Sequence, residues 1–237
     1  MKIKRCLASV TAAAFCAAMI TGTASAHTND VYAGFYYIMS PSTVVGGSPT
    51  IVQRTTANFV LMINPSAFNS TLTYADVYSH GTDWNGISSK VDLRTINNYY
   101  GGIPDVMNQI DVEGENIPSE DGYIILGNTV PFDINYDVAN VDFSWFDAKI
   151  IMNTSDEAEQ FYLINDAEKL HRRKVFVHEV GHVLKLKHPI CRSSASGHTI
   201  NGYPLAIMNQ QSPYTNDHVS ATIAQHDKDC LIEKWGV

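Results

Sequence analysis

Three histidines and a glutamate crowd the stretch VFVHEVGHVLKLKHP (Val175 to Pro189), as His178-Glu179-x-x-His182 with His188 six positions further on. On a helix, positions i and i+4 share a face, so His178 and His182 can offer two imidazoles to one metal ion. Glu179 is turned roughly 100° from His178 at about 3.6 residues per turn. That is a poor angle for a third ligand on the same face. It suits a general base reaching a water at an open coordination position.

His188 is the candidate third ligand, and helix geometry limits how it can join. A continuous helix would carry it roughly 240° around and about 9 Å along from His182, facing away. The helix must therefore end between them. Pro189 supports this, because a residue before proline is pushed out of the helical region, which leaves His188 extended. The reversal falls at Lys185, which would take the left-handed conformation usually given to glycine, at about 1–2 kcal/mol. Metal binding of about 10 kcal/mol could hold it there. Other third ligands are Asp217, His198 and Glu233, the last being the only glutamate after Glu179. His171 sits two turns before His178, too far to share its ion, and His80, His218 and His226 read as surface or hydrogen-bonded histidines.

The elements that must position this site follow from hydrophobic patterning. Asn165, with Glu168 three residues on, caps a helix whose apolar positions run through Leu170, Val175, Phe176, Val180 and Val183. NFVLMIN (Asn58 to Asn64) reads as a buried strand stopped by Pro65, and Lys90–Ile96, Gly122–Asn128 and Asp147–Asn153 as further strands. Tyr74, Val77, Tyr78, Gly81 and Trp84 recur at helical spacing. Thr222 and Gln225 form a second capping box, opening a helix through Ile232 that stops at Gly236. The fold class is α+β: a twisted mixed sheet with the histidine helix and a C-terminal helix.

Lys2, Lys4 and Arg5, an apolar run from Leu7 to Ile20 and then Ala24-Ser25-Ala26 read as a secretory signal peptide, residues 1–26, with the exported chain starting near His27. No later apolar run is long enough to span a bilayer, so no membrane anchor is expected. Of 16 basic residues the leader takes three, leaving 13 against 24 acidic, a net charge of −11 that disfavours nucleic acid. Cys6 and Cys16 leave with the leader. Cys191 and Cys230 remain, and in an oxidising compartment they are expected to pair. No repeat or linker divides the rest, which is read as a segment 27–57, a short propeptide or an added strand, followed by one domain, 58–237.

The string His178-Glu179-Val180-Gly181-His182-Val183-Leu184-Lys185-Leu186-Lys187-His188 resembles the extended zinc motif of the metzincin metallopeptidases, HExxHxxGxxH, at every fixed position but the glycine. PLAIMNQ (Pro204 to Gln210) resembles the segment that carries the metzincin Met-turn, with Met208 as its methionine. Spacing, a strand-rich amino half and the closing IEKWG are similar to the matrixin-like branch. The resemblance implies a zincin-like fold and a secreted, monomeric zinc endopeptidase. His178, His182 and His188 would hold one zinc, and Glu179 would activate a zinc-bound water for peptide hydrolysis. The substrate would lie as an added strand along the sheet edge, placed at Asp147–Asn153, with Asn209 to Asp217 walling a pocket. Tyr214 is read as a wall or surface residue, since the tyrosine that some such families use follows the methionine by two residues, where this chain has Gln210. No cysteine lies between Cys16 and Cys191 to act as a latency switch.

Two further expectations stand beside these. Asp133, Asp137, Asp142, Glu113 and Glu115 admit a calcium site, although without EF-hand spacing a solvated acidic surface is the simpler reading. The alternative function is a secreted binding or adhesion protein on a metallopeptidase-like scaffold, with zinc retained for stability.

Overall fold

A computed structural model describes residues 36–39, 50–68, 71–97, 109–119, 124–133, 135–140, 145–158, 168–189, 199–200, 203–204, 206–209 and 222–237. The leader, Asn165, Cys191, His198, Tyr214, Asp217 and His218 lie outside the described residues, as does Asp142. Strands β1 (Tyr36–Met39) and β2 (Thr50–Gln53) pair antiparallel as a ribbon of their own. Then come β3 (Ala57–Ile63), α1 (Thr71–His80), β4 (Val91–Asn97), β5 (Gln109–Glu115), β6 (Gly127–Phe132), β7 (Asp147–Asn153) and the histidine helix α2 (Glu168–Val183). A short pair, β8 (Thr199–Ile200) and β9 (Tyr203–Pro204), precedes α3 (Gln225–Trp235).

The main sheet has five strands in the order β4-β3-β5-β7-β6. The first four run parallel, and β6 runs antiparallel to β7. Its core is built by period-two alternation. Phe59, Leu61 and Ile63 of β3, Val91 and Leu93 of β4, Ile110 and Val112 of β5, and Ala148, Ile150 and Met152 of β7 are all buried. Helix α2 packs against α1, β6 and β7, contributing buried Phe176, Val180 and Val183. This is the mixed sheet with a histidine helix and a C-terminal helix that the patterning predicts.

Three expectations need correction, and one strand, β5, has no counterpart in the sequence reading. β7 is not an edge strand, being hydrogen-bonded on both sides, to β5 and β6; the edges are β4 and β6, of which β6 is the one packed on α2. The strand expected at Gly122–Asn128 runs instead from Gly127 to Phe132. Pro131 makes that stretch look like loop, but an edge strand tolerates proline where its nitrogen faces away from the ladder. β5 was hidden by its acids: Asp111, Glu113 and Glu115 alternate with buried Ile110 and Val112. Finally, α3 is capped by Ala224 and not Thr222. Asp227, three residues later, accepts the Ala224 N–H at 2.7 Å.

The predicted stripe of α1 is seated at Val77 and, beyond the helix end, at Gly81 and Trp84, all buried, while Tyr78 lies at the rim. Trp84 donates from Nε1 to the carbonyl of Val177 at 2.9 Å, tying this region to the middle of α2. At the other end, Trp235 of α3 donates to the Leu184 carbonyl at 2.9 Å. Both ends of the histidine segment are thereby fixed by buried indoles.

Among the described residues, the acids weighed for calcium do not gather round one point. Glu113 and Glu115 both meet Lys149, at 2.6 and 2.7 Å. Asp133 accepts the N–H groups of Asn135 and Asp137 within its own turn. Among the described residues the one cluster arranged for a metal ion is the histidine group. Cys230 is buried with its sulfur 3.6 Å from His226 Nε2, and its expected partner Cys191 lies outside the described residues.

Candidate metal centre

Helix α2 ends at Val183, and Lys185 stands at φ 72° in the left-handed region. The Lys185 N–H donates to the His182 carbonyl at 2.8 Å and the Leu186 N–H to the Gly181 carbonyl at 3.0 Å. This double closure is the usual helix stop with a left-handed residue, made here without glycine. Lys185 is fully buried, with Nζ 3.3 Å from the centre of the Trp145 ring, so a cation–π contact helps fix it. Lys185→Gly and Lys185→Ala both remove that contact, and only glycine accepts the backbone angle without strain. We expect the glycine variant to be the more stable of the two by about 1 kcal/mol in chemical denaturation. Equal stabilities would show that the turn is not strained.

The reversal returns His188 to the two helical histidines. His188 Nε2 is 3.0 Å from Nε2 of His178 and 3.1 Å from Nε2 of His182. The other ring nitrogens settle the tautomers. Nδ1 of His178 lies 2.8 Å from the Ile207 carbonyl, and Nδ1 of His182 lies 2.8 Å from the Leu186 carbonyl. A carbonyl can only accept, so each Nδ1 carries the proton and donates it, leaving each Nε2 lone pair aimed at the centre. Burial holds all three rings neutral: His178 is lowered to about 4, His188 to about 3, and His182 well below its usual value. For His182 and His188 the neighbouring imidazoles add to that lowering.

Neutral lone pairs at 3 Å repel, and one shared proton could satisfy only one of the two contacts. A divalent cation satisfies all three. Nitrogens holding zinc at about 2.0–2.1 Å in a tetrahedron sit roughly 3.3 Å apart, near the spacing seen. His178 is buried, while His182 and His188 are partly buried.

Glu179, next to His178 in the chain, is buried, and its Oε2 accepts from the Thr129 hydroxyl at 2.8 Å. Burial raises its carboxyl to about 7, against the opposing pull of the Thr129 hydrogen bonds. A carboxylate poised near neutrality is suited to taking and returning a proton.

Three parts of the site were not foreseen from sequence. Asp227 of α3 is buried and accepts the N–H groups of Ile207 at 2.8 Å and Met208 at 3.2 Å, fixing the turn whose Ile207 carbonyl orients His178. Burial pushes Asp227 up to about 6, with its backbone hydrogen bonds and His226 opposing. The Leu186 carbonyl orients His182, and Thr129 holds Glu179. Met208 is buried against Gly181, where an added Cβ would lie 2.2 Å from Sδ, so glycine allows that close packing. Among the rejected ligands, Glu233 is exposed on α3, His80 is bonded to Asp83, and His226 neighbours Cys230. His171 lies in the first turns of α2.

No protein-family model and no curated relative matches the chain. Among solved structures, archaemetzincin from Methanopyrus kandleri is 12% identical over 75% of this chain and 96% of its own, with a TM-score of 0.41. The GM1-bound form of the ECX AB5 holotoxin is 13% identical over 86% of this chain and 77% of its own, with a TM-score of 0.37. At such low overlap neither likeness bears on the site, whose reading rests on its own atoms.

Proposed function

We propose that the chain is a secreted zinc endopeptidase of the metzincin type, matrixin-like, with Met208 in its Met-turn, cleaving proteins or peptides. The supporting observation is the convergence of three Nε2 atoms, two with tautomers fixed by backbone carbonyls, with a buried glutamate next in the chain to the first of them. His178, His182 and His188 would hold the zinc. Bound there, zinc supplies Lewis acidity, which acidifies water and polarises a carbonyl. Glu179 accepts the proton of the attacking water and passes it to the departing amine.

The substrate belongs on β6. The Asn153 N–H donates to the Leu126 carbonyl, and the Ala139 N–H to the Pro131 carbonyl on the opposite side. Antiparallel alternation then turns the backbone groups of Gly127 and Thr129 away from β7. Two successive outward-facing residues, ending where Ala139 covers Pro131, make a short edge that an extended peptide can join. Among the described residues no helix is long and apolar enough to cross a membrane.

Digestion of a diverse peptide library, read by mass spectrometry, should show internal cleavage that stops with a chelator and returns with zinc. The protein should carry about one zinc per chain. Stoichiometric zinc without any cleavage would replace this reading with that of a binding protein using zinc for stability.

A further inference from the structure

The edge strand and the base meet through side chains as well as along the backbone. Gly127, Thr129 and Pro131 are the buried positions of β6, on the face it turns to α2. The Thr129 hydroxyl lies 2.8 Å from Glu179 Oε2 and 2.9 Å from the Glu179 carbonyl oxygen. A hydroxyl has one proton to give, and a charged carboxylate is the stronger acceptor. At Gly127, an added Cβ would sit 3.0 Å from Glu179 Cγ, 3.2 Å from Glu179 Oε1 and 2.7 Å from Val175 Cγ1. One position supplies a donor, and the next on the same face supplies room.

We propose that Gly127 and Thr129 are positioning residues for Glu179: the edge strand that offers its backbone to substrate also cradles the general base from its inner face. This rests on the peptidase reading above. A strand added to β6 would engage the outward N–H and C=O groups of Gly127 and the C=O of Thr129, while the Thr129 N–H, like its hydroxyl, serves the Glu179 carboxylate. Substrate and base are then registered to one short piece of chain. An acid–base group displaced by about 1 Å can lose roughly a hundredfold in rate, so a cradle of this kind carries a measurable share of turnover.

The alternative role for Thr129 is structural, a hydroxyl bonded only to the helical carbonyl of residue 179. The two roles separate in kinetics and in stability. Thr129→Val, which keeps shape and removes the donor, should lower kcat about tenfold or more with KM unchanged within about twofold, because peptide binding uses the backbone of β6. Thr129→Ser should restore kcat to near the original, and Gly127→Ala should lower kcat with zinc content retained. The second measurement needs no turnover. The change in melting temperature caused by Thr129→Val is compared in the original chain and in the Glu179→Ala background, with zinc and with chelator. A cradle predicts different shifts in the two backgrounds, since the partner carboxylate is gone from one.

Equal shifts in both backgrounds, or original kcat in Thr129→Val, would overturn the cradle. If the original chain cleaves nothing, the peptidase reading fails by itself, and the comparison of melting shifts still decides whether Thr129 acts through the carboxylate.

Discussion

Glu179→Gln should leave the protein folded and loaded with about one zinc per chain while peptide cleavage falls by about 10²- to 10⁴-fold, the usual contribution of general acid–base catalysis. The expectation of a sound fold rests on shape. Glutamine fills the same buried space, and its amide oxygen can still accept from the Thr129 hydroxyl. The expectation of retained zinc rests on geometry, since the three converging nitrogens belong to His178, His182 and His188. The expectation of lost turnover rests on chemistry. The glutamine side chain cannot take up a proton at neutral pH, whereas burial places the Glu179 carboxyl near 7, where both forms are accessible. Metal analysis, circular dichroism and peptide cleavage measured on one preparation separate the three. Cleavage at the original rate would remove Glu179 from the chemistry. Loss of zinc together with cleavage would make it a structural support of the metal cluster.

The histidine helix was legible because its constraints are local. Spacing places His178 and His182 on one face, and Pro189 with His188 demands an end to the helix, so Lys185 at φ 72° follows from chain geometry. The groups that tune the site were not legible, because they meet it only through the fold. Nothing in GNTVPF announces that Thr129 will reach a glutamate fifty residues away, or that Gly127 leaves space for its carboxylate. Ile207 and Leu186 act through main-chain carbonyls, which every residue carries and no pattern marks. Asp227 left a faint signal: an acid in the first turn of a helix can bond its cap, as here with Ala224, but the reading favoured a hydroxyl cap at Thr222. The edge assignment failed for a related reason. In DAKIIMN, half-buried Ile151 beside buried Ile150 and Met152 reflects a strand flanked on both sides, whereas the edge strand next to it carries Asn128, Thr129 and a proline.

His188→Ala should cost the protein its tight metal binding, and this tests the cluster more severely than any change at Glu179. Zinc binding of about 10 kcal/mol or more, shared over three imidazoles, assigns about 3 kcal/mol to each, so affinity should fall about a hundredfold or more. The loss should exceed that from an equally drastic change at His80 or His226, whose described partners are Asp83 and Cys230. Because a ligand bound only by the folded state adds to stability, the same substitution should also erase most of the rise in melting temperature that zinc gives the original chain. In chelator the difference should largely disappear. His188 places Nε2 at 3.0 and 3.1 Å from two lone pairs and can offer a proton to only one of them, so without a cation its removal gives up little. The variant should then melt no lower than the original, beyond a small loss of packing. Competition titration with a chromogenic chelator measures the affinity, and paired melting curves with and without zinc measure the linkage. Unchanged zinc affinity in His188→Ala would exclude a three-histidine site. The helix would still end at Lys185, but its return of His188 toward His178 and His182 would then serve packing alone.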